Sequence, residues 1–276
     1  MTMDDTQKQL WNGAAGQAWV RARPLIDEVF QPFTEVLVDA ARDCGARQVM
    51  DIGCGTGAVT RALSAALGDA AACLGVDVSA AMVDEARRLA NGTASRARFL
   101  CADAATHAFP PAAADLMVSR FGIMFFADPV AAFAHLRSAL ADRGRLCGLA
   151  WRDPAENPFM TLAERTARPW LPDLPERRPG APGQFAFADA GHVRSIFDAA
   201  GWRAADIRPL DIECSMPAQR IEEWFTSLGP VGLAMPSLDT SARDALIEAL
   251  RNAFAPFVRG QRACFTAACW RIDAQR

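Results

Sequence analysis

The segment VMDIGCGTGAVT (residues 49–60) leaves a short apolar run, RQVMDIG (47–53), crosses a glycine-rich turn and enters a helical pattern, AVTRALSAAL (58–67). Glycine has no Cβ, so such a turn lets backbone approach a ligand closely. The helix N-terminus beyond it favours anionic groups. Gly53-x-Gly55-x-x-Ala58 satisfies the loose dinucleotide fingerprint GxGxxG/A. The same residues satisfy D-x-G-x-G-x-G, with Asp51 two residues ahead of the first glycine. Two ligand classes therefore compete for this loop: a pyrophosphate-bridged dinucleotide, and an adenosine that carries a cationic tail.

The rhythm around the loop sets the fold. Strand patterns at AACLGVDV (71–78), RARFLCAD (96–103), ADLMVSRF (114–121) and GRLCGLAW (144–151) alternate with helical ones at SAAMVDEARRLA (79–90) and DPVAAFAHLRSALA (128–141). Ser79 reads as a cap, Asn91-Gly92 as a stop, and Asp128-Pro129 as a start. Strands and helices alternating at this spacing predict βαβ units and a parallel sheet, with right-handed crossovers placing helices on both faces. Two further strands are predicted at 202–214 and 263–272, which makes seven. Before the loop, 4–20 reads as a helix broken at Asn12-Gly13 and Gly16. Residues 25–43 carry a helical apolar stripe that Pro32 kinks or divides.

Three carboxylates decide between the ligand classes. Asp51 ends the first strand, where it is poorly suited to a pyrophosphate and well suited to a cationic tail. Asp77 ends the second, where an acid can accept hydrogen bonds from both ribose hydroxyls; both classes share that feature. Asp103 ends the third, where it can accept from an exocyclic adenine amine. Ligands of open α/β sheets bind at these carboxyl ends. An acid at each of the three favours an adenosine bearing a positive group.

With those residues in view, the chain resembles the class I S-adenosylmethionine-dependent methyltransferases. It is most similar to the ubiquinone/menaquinone-biosynthesis-type and related bacterial small-molecule branch. The matching stretches are 49–60, GVDVSAAMVDEA (75–86), FLCADA (99–104) and ADLMVSRFGIMFFADP (114–129). Specific motifs cover roughly residues 40–151; the rest matches by architecture only. The resemblance implies a doubly wound, seven-stranded, mostly parallel Rossmann-like sheet with an antiparallel last strand and an inserted helical cap. It also implies S-adenosyl-L-methionine as cofactor. In that reading Asp51, Gly53, Cys54, Gly55 and Gly57 line the methionine part, and Asp77 binds the ribose. Val78 and Met82 pack on the adenine, while Asp103 and the Ala104 amide bind its edge. Ser119 and Arg120 face the methionine moiety.

Composition narrows the chemistry. The 276 residues contain no tyrosine, and Lys8 is the only lysine. A Tyr-Lys proton relay and a GxxxxGK[ST] phosphate loop are both impossible. The NAD(P)-dependent oxidoreductase reading of the loop loses its commonest hydride site, while methyl transfer is untouched because the reactive group belongs to the cofactor. A non-catalytic S-adenosylmethionine-binding protein is the third reading. The net charge of -3 argues against nucleic acid as a partner. Eight cysteines without a CxxC pair, and three scattered histidines, give no metal-site spacing. The N-terminus is acidic and polar rather than a signal peptide, and no apolar run is long enough to span a membrane. A cytoplasmic monomer or homodimer acting on a small methyl acceptor is expected.

The whole chain reads as one domain: an N-terminal helical lid (1–45), a cofactor-binding core (46–152), and cap insertions at 153–187 and 215–262. The first insertion holds seven prolines and a helix at 159–170; further helices are predicted at 188–200, 219–228 and 240–257. Phe121, Met124, Phe125 and Phe126 suit either an apolar acceptor pocket or ordinary core. Trp11 and Trp19 suit either a cover over the cofactor, where an aromatic face attracts a cation, or simple packing. No catalytic residue is assigned; His107, nearest the cofactor end of the sheet, is the histidine candidate for a base.

Overall fold

The computed structural model describes residues 3–91, 96–178 and 180–276. Three helices lead the chain: α1 (Met3–Asn12), α2 (Ala14–Val29) and α3 (Gln31–Asp43). The core follows as β1 (Gln48–Ile52), α4 (Ala58–Leu67), β2 (Ala72–Asp77), α5 (Ala80–Asn91), β3 (Arg98–Cys101), β4 (Ala114–Arg120), α6 (Pro129–Ala139) and β5 (Leu140–Trp151). Then come α7 (Pro158–Ala167), α8 (Ala190–Ala199), β6 (Arg203–Pro217), α9 (Ile221–Ser227), α10 (Gly229–Ala234), α11 (Thr240–Phe254), β7 (Val258–Arg259) and β8 (Arg262–Gln275).

The sheet runs β3-β2-β1-β4-β5-β8-β6. Strands β1 to β5 pair in parallel, while β8 is antiparallel to both β5 and β6. From β1 the chain steps to β2 on one side, and from β4 to β5 on the other. Right-handed crossovers therefore send α4 and α6 to opposite faces. The order reverses between β1 and β4, and the crevice at their carboxyl ends is the topological switch point where ligands of such sheets bind.

Several sequence expectations shift. There are eight strands among the described residues, because the Gly260-Gln261 turn (Gly260 φ +60°) pairs two residues of β7 with the start of β8. Gly13 separates α1 from α2, but Gly16 does not break α2. A Cβ at Gly16 would come within 2.9 Å of the Ser79 hydroxyl, so this glycine lets α2 pack closely on the turn after β2. The helix also continues through Pro24 and ends at Val29, so the division falls at Phe30, two residues before Pro32. The single helix expected at 219–228 is α9 and α10, separated where Gly229 adopts φ +67°. Of the expected Asn91-Gly92 stop, Gly92 lies outside the described residues.

The cap is fastened to the sheet by a residue that sequence reading overlooked. Asn157, at the start of α7, is 1% exposed. Its side-chain amide donates to the Ala268 carbonyl at 2.9 Å, and its Oδ1 accepts from the Ala268 N–H at 3.0 Å. A side chain that replaces a ladder partner on β8 in this way fixes where the cap begins.

Candidate active site

A cavity of about 790 Å³ opens at the carboxyl ends of β1, β2, β3 and β4. Asp51, Asp77 and Asp103 all line it, as the alternation of strand and turn predicts. So do Gly53, Cys54, Gly55, Val78, Met82, Ala104, Arg120 and Trp19.

Asp51 sits at the cavity floor, 1% exposed, and its Oδ2 accepts from the Thr60 hydroxyl at 2.7 Å. Burial pushes its carboxyl up to about 6. Thr60 and the charge of Arg120 pull the other way, and Asp77 adds to the rise. Asp77 accepts the Gly55 N–H on Oδ2 and the Ser79 N–H on Oδ1, both at 2.8 Å. Its carboxyl is also raised by burial, against the pull of those amides. Asp103 accepts the Ala105 N–H on Oδ1 at 2.9 Å, and Lys8 Nζ lies 2.8 Å from its Oδ2. Burial tends to raise the Asp103 carboxyl, but Lys8 and the amide outweigh it and hold it below the usual range.

The glycine turn is shaped for close approach. Gly53 (φ +68°) hands its N–H to the Val76 carbonyl at 2.9 Å. A Cβ there would meet the Gly122 Cα at 2.6 Å. Gly53→Ala is therefore expected to lower stability by about 2 kcal/mol, from left-handed strain plus a backbone clash that no side-chain rotation relieves. Chemical denaturation checks this; a loss under about 0.5 kcal/mol would mean the turn adapts freely. At Gly55 (φ +54°) a Cβ would stand 3.6 Å from Met82 Sδ and 3.8 Å from Trp19 Nε1, both cavity-lining residues. This is a cradle that a side chain would fill, and the donor set around it suits an adenosine with a cationic tail.

Two expected ligands and the candidate base lie off the cavity lining. Ser119 is buried and does not line the cavity; its hydroxyl donates to the Ile52 carbonyl at 2.7 Å and accepts the Gly122 N–H at 3.1 Å. It ties β4 to β1 instead of facing a ligand. Gly57 also lies off the lining; it caps α4 in the left-handed conformation, where a Cβ would strike the Phe99 ring at 2.5 Å. His107 does not line the cavity either, and its carbonyl lies 2.7 Å from His135 Nε2.

Aromatic side chains continue the cavity beyond the carboxylates. Phe121 stacks on Trp151 with centroids 4.3 Å apart, and Phe30 meets Phe121 edge-on at 5.5 Å. Phe121 holds φ +65°, an uncommon backbone for a bulky residue, directly beside the site. Trp11, Phe125 and Trp19 form an edge-to-face group on the lid side, with the Trp11 centroid 5.1 Å from Phe125 and 5.9 Å from Trp19. The cap supplies Phe159, Met160, Trp224 and Phe225, together with a polar edge that the sequence did not signal. There Arg177 Nε donates to Glu164 at 3.1 Å, and the guanidinium stacks on Phe185 at 4.7 Å. Arg120 donates to Thr34 Oγ1 at 2.9 Å and lies over Phe30.

Residues 49–144 match the family model described as a methyltransferase domain. The aklanonic acid methyltransferase DauC of Streptomyces sp. strain C5 is 32% identical over 120 residues, 43% of this chain and 54% of that protein. The demethylmenaquinone methyltransferase of Thermus thermophilus is 34% identical over 122 residues, 44% of this chain and 55% of that protein. The aligned part thus spans about half the length of these two relatives. Among solved structures, the magnesium protoporphyrin IX methyltransferase of Synechocystis PCC 6803 superposes with a TM-score of 0.58 at 18% identity, covering 99% of both chains. That likeness speaks for the fold. The matched residues contain the glycine turn and all three carboxylates, while Lys8, Glu164 and Arg177 lie outside them.

Proposed function

We propose that this protein transfers a methyl group from S-adenosyl-L-methionine to a small, apolar or aromatic acceptor. One observation carries the reading: carboxylates at the ends of three successive parallel strands line a single cavity, which continues into an aromatic chamber. When bound, the cofactor supplies a methyl already activated on a sulfonium. The protein then has two tasks, alignment and exclusion of water.

Asp51 and the Gly53–Gly55 backbone hold the methionine end, with Arg120 beside them. Asp77 takes the ribose hydroxyls. Val78, Met82, Asp103 and Ala104 take the adenine. Phe121, Trp151, Phe159 and Trp224 present flat apolar surface to the acceptor. Arg177, fixed by Glu164, gives that chamber one polar edge for orienting an oxygen- or nitrogen-bearing group. The lid (1–45) and the cap (153–187 and 215–262) close over both ligands. No nucleic acid is required. The eight cysteines are all free thiols, which supports a reducing, cytoplasmic setting. No helix among the described residues is long and apolar enough to cross a membrane. We propose a monomer or homodimer.

Titration calorimetry with S-adenosylhomocysteine, NAD⁺ and NADP⁺ tests this reading. Binding of S-adenosylhomocysteine in the micromolar range, and of neither nicotinamide cofactor, is the expected result. Tight NAD(P)⁺ binding without S-adenosylhomocysteine binding would overturn it.

A further inference from the structure

The lone lysine of the chain lies at the mouth of the adenosine end. Lys8, on α1, lines the cavity together with Gln7, Leu10 and Trp11. Its ammonium reaches Asp103 Oδ2 at 2.8 Å, and the Asp103 side chain is only 17% exposed. The opposite end of the helix is pinned to the turn after β2. Asn12 Nδ2 donates to the Val78 carbonyl at 3.0 Å, its Oδ1 accepts the Ala80 N–H at 3.0 Å, and the Ser79 hydroxyl donates to the Trp11 carbonyl at 2.7 Å. Gly13 follows at once and separates α1 from α2. The helix is therefore fastened near its joint by neutral hydrogen bonds, and one turn further out by an ion pair.

We propose that Lys8 is a cofactor-positioning residue, a latch that closes α1 over the bound adenosine through the carboxylate that receives the adenine amine. The inference rests on the methyltransferase reading above. Three observations support it. The cavity keeps about 790 Å³ with α1 seated, so closure leaves room for a ligand underneath. Asp103 Oδ2 is closed off from solvent beneath Lys8, so one carboxylate meets α1 and stands at the adenosine end of the cavity. Oδ1 is already committed to the Ala105 N–H, which fixes the carboxylate plane. Release of the ligand then requires breaking the Lys8–Asp103 pair and swinging α1 about Gly13.

Because the chain has one lysine, amine-selective acylation reads this contact directly. Peptide mass spectrometry distinguishes the Lys8 ε-amine from the chain terminus. Saturating S-adenosylhomocysteine is expected to slow Lys8 acylation several-fold. Stopped-flow tryptophan fluorescence, reporting Trp11 and Trp19, gives the dissociation rate. Lys8→Met is expected to release S-adenosylhomocysteine about threefold faster, the scale of a partly exposed ion pair. Lys8→Arg is expected to restore slow release. In an Asp103→Asn protein, adding Lys8→Met is expected to change the release rate no further. Raising salt is expected to speed release from the wild type and leave Lys8→Met unchanged. Unchanged or faster acylation of Lys8 with ligand bound, or equal release rates in wild type and Lys8→Met, overturns the latch. Absence of any S-adenosylhomocysteine binding to the wild type overturns the parent reading along with it.

Discussion

Asp77→Ala is expected to weaken S-adenosylhomocysteine binding roughly a hundredfold to ten-thousandfold. A hydrogen bond to a charged acceptor contributes about 1.5–3 kcal/mol, and the proposed ribose ligand makes two of them with one carboxylate. The same carboxylate fixes the protein around the ligand. Its two oxygens hold the Gly55 and Ser79 amides at 2.8 Å each, so the glycine turn and the start of α5 both lose their common anchor. The fold itself should suffer much less. Burial raises the Asp77 carboxyl, which means that the charged form is costly in the free protein. Removing it offsets part of the loss from two unpaired amides. Asp77→Asn, which keeps an acceptor for only one of the two amides, is expected to fall between wild type and Asp77→Ala in affinity. Calorimetry of each variant beside its thermal midpoint separates the two effects. Unchanged affinity in Asp77→Ala would remove Asp77 from the ribose role.

The carboxylates were legible because their positions follow from periodicity alone. Each ends a short apolar run, and in a parallel sheet the ends of neighbouring strands share one edge. The same logic falters one residue on. Ser119 and Arg120 are adjacent on β4, and successive strand residues face opposite ways. Only one can look into the cavity; Arg120 does, while Ser119 turns to the Ile52 carbonyl. Gly57 belonged to the glycine pattern but answers to helix geometry and the Phe99 ring rather than to a ligand. Gly16 read as a break because helix propensity disfavours glycine, yet the close contact of α2 with Ser79 requires it.

The acceptor side was barely legible, and for a different reason. Glu164 and Arg177 are 13 residues apart, in a proline-rich stretch with no repeating pattern, and only the folded cap brings them together. Lys8 stood out in the sequence for its rarity alone. Its partner Asp103 lies 95 positions away, and no local spacing encodes that meeting. The four aromatic and methionine residues after β4 could be read as pocket or as core. Phe121 and Met124 are both, since each is buried and also lines the cavity.

Asp51 makes the stability and the ligand affinity of this protein depend on pH in opposite senses. Its carboxyl is pushed from the ordinary 3.8 to about 6 by burial, despite the Thr60 hydroxyl. An acid whose folded value is raised favours the native state at low pH. That contribution is full below about 4, fades as the pH climbs, and is gone above about 6. From pH 4 to pH 8 the free wild-type protein is expected to lose about 2 kcal/mol relative to Asp51→Asn, which carries no titrating group there. The thermal midpoint of the wild type should drop by about 5 °C more than that of the variant over this range. Ligand binding should run the other way. A cationic group beside Asp51 favours the ionised carboxylate, so S-adenosylmethionine affinity should rise between about pH 5 and 7 in the wild type and stay flatter in Asp51→Asn. At pH 8 the variant should be the more stable free protein and the weaker binder. Superimposable pH profiles of wild type and Asp51→Asn, in stability and in affinity, would show that this carboxylate neither titrates near 6 nor meets the cationic end of the ligand.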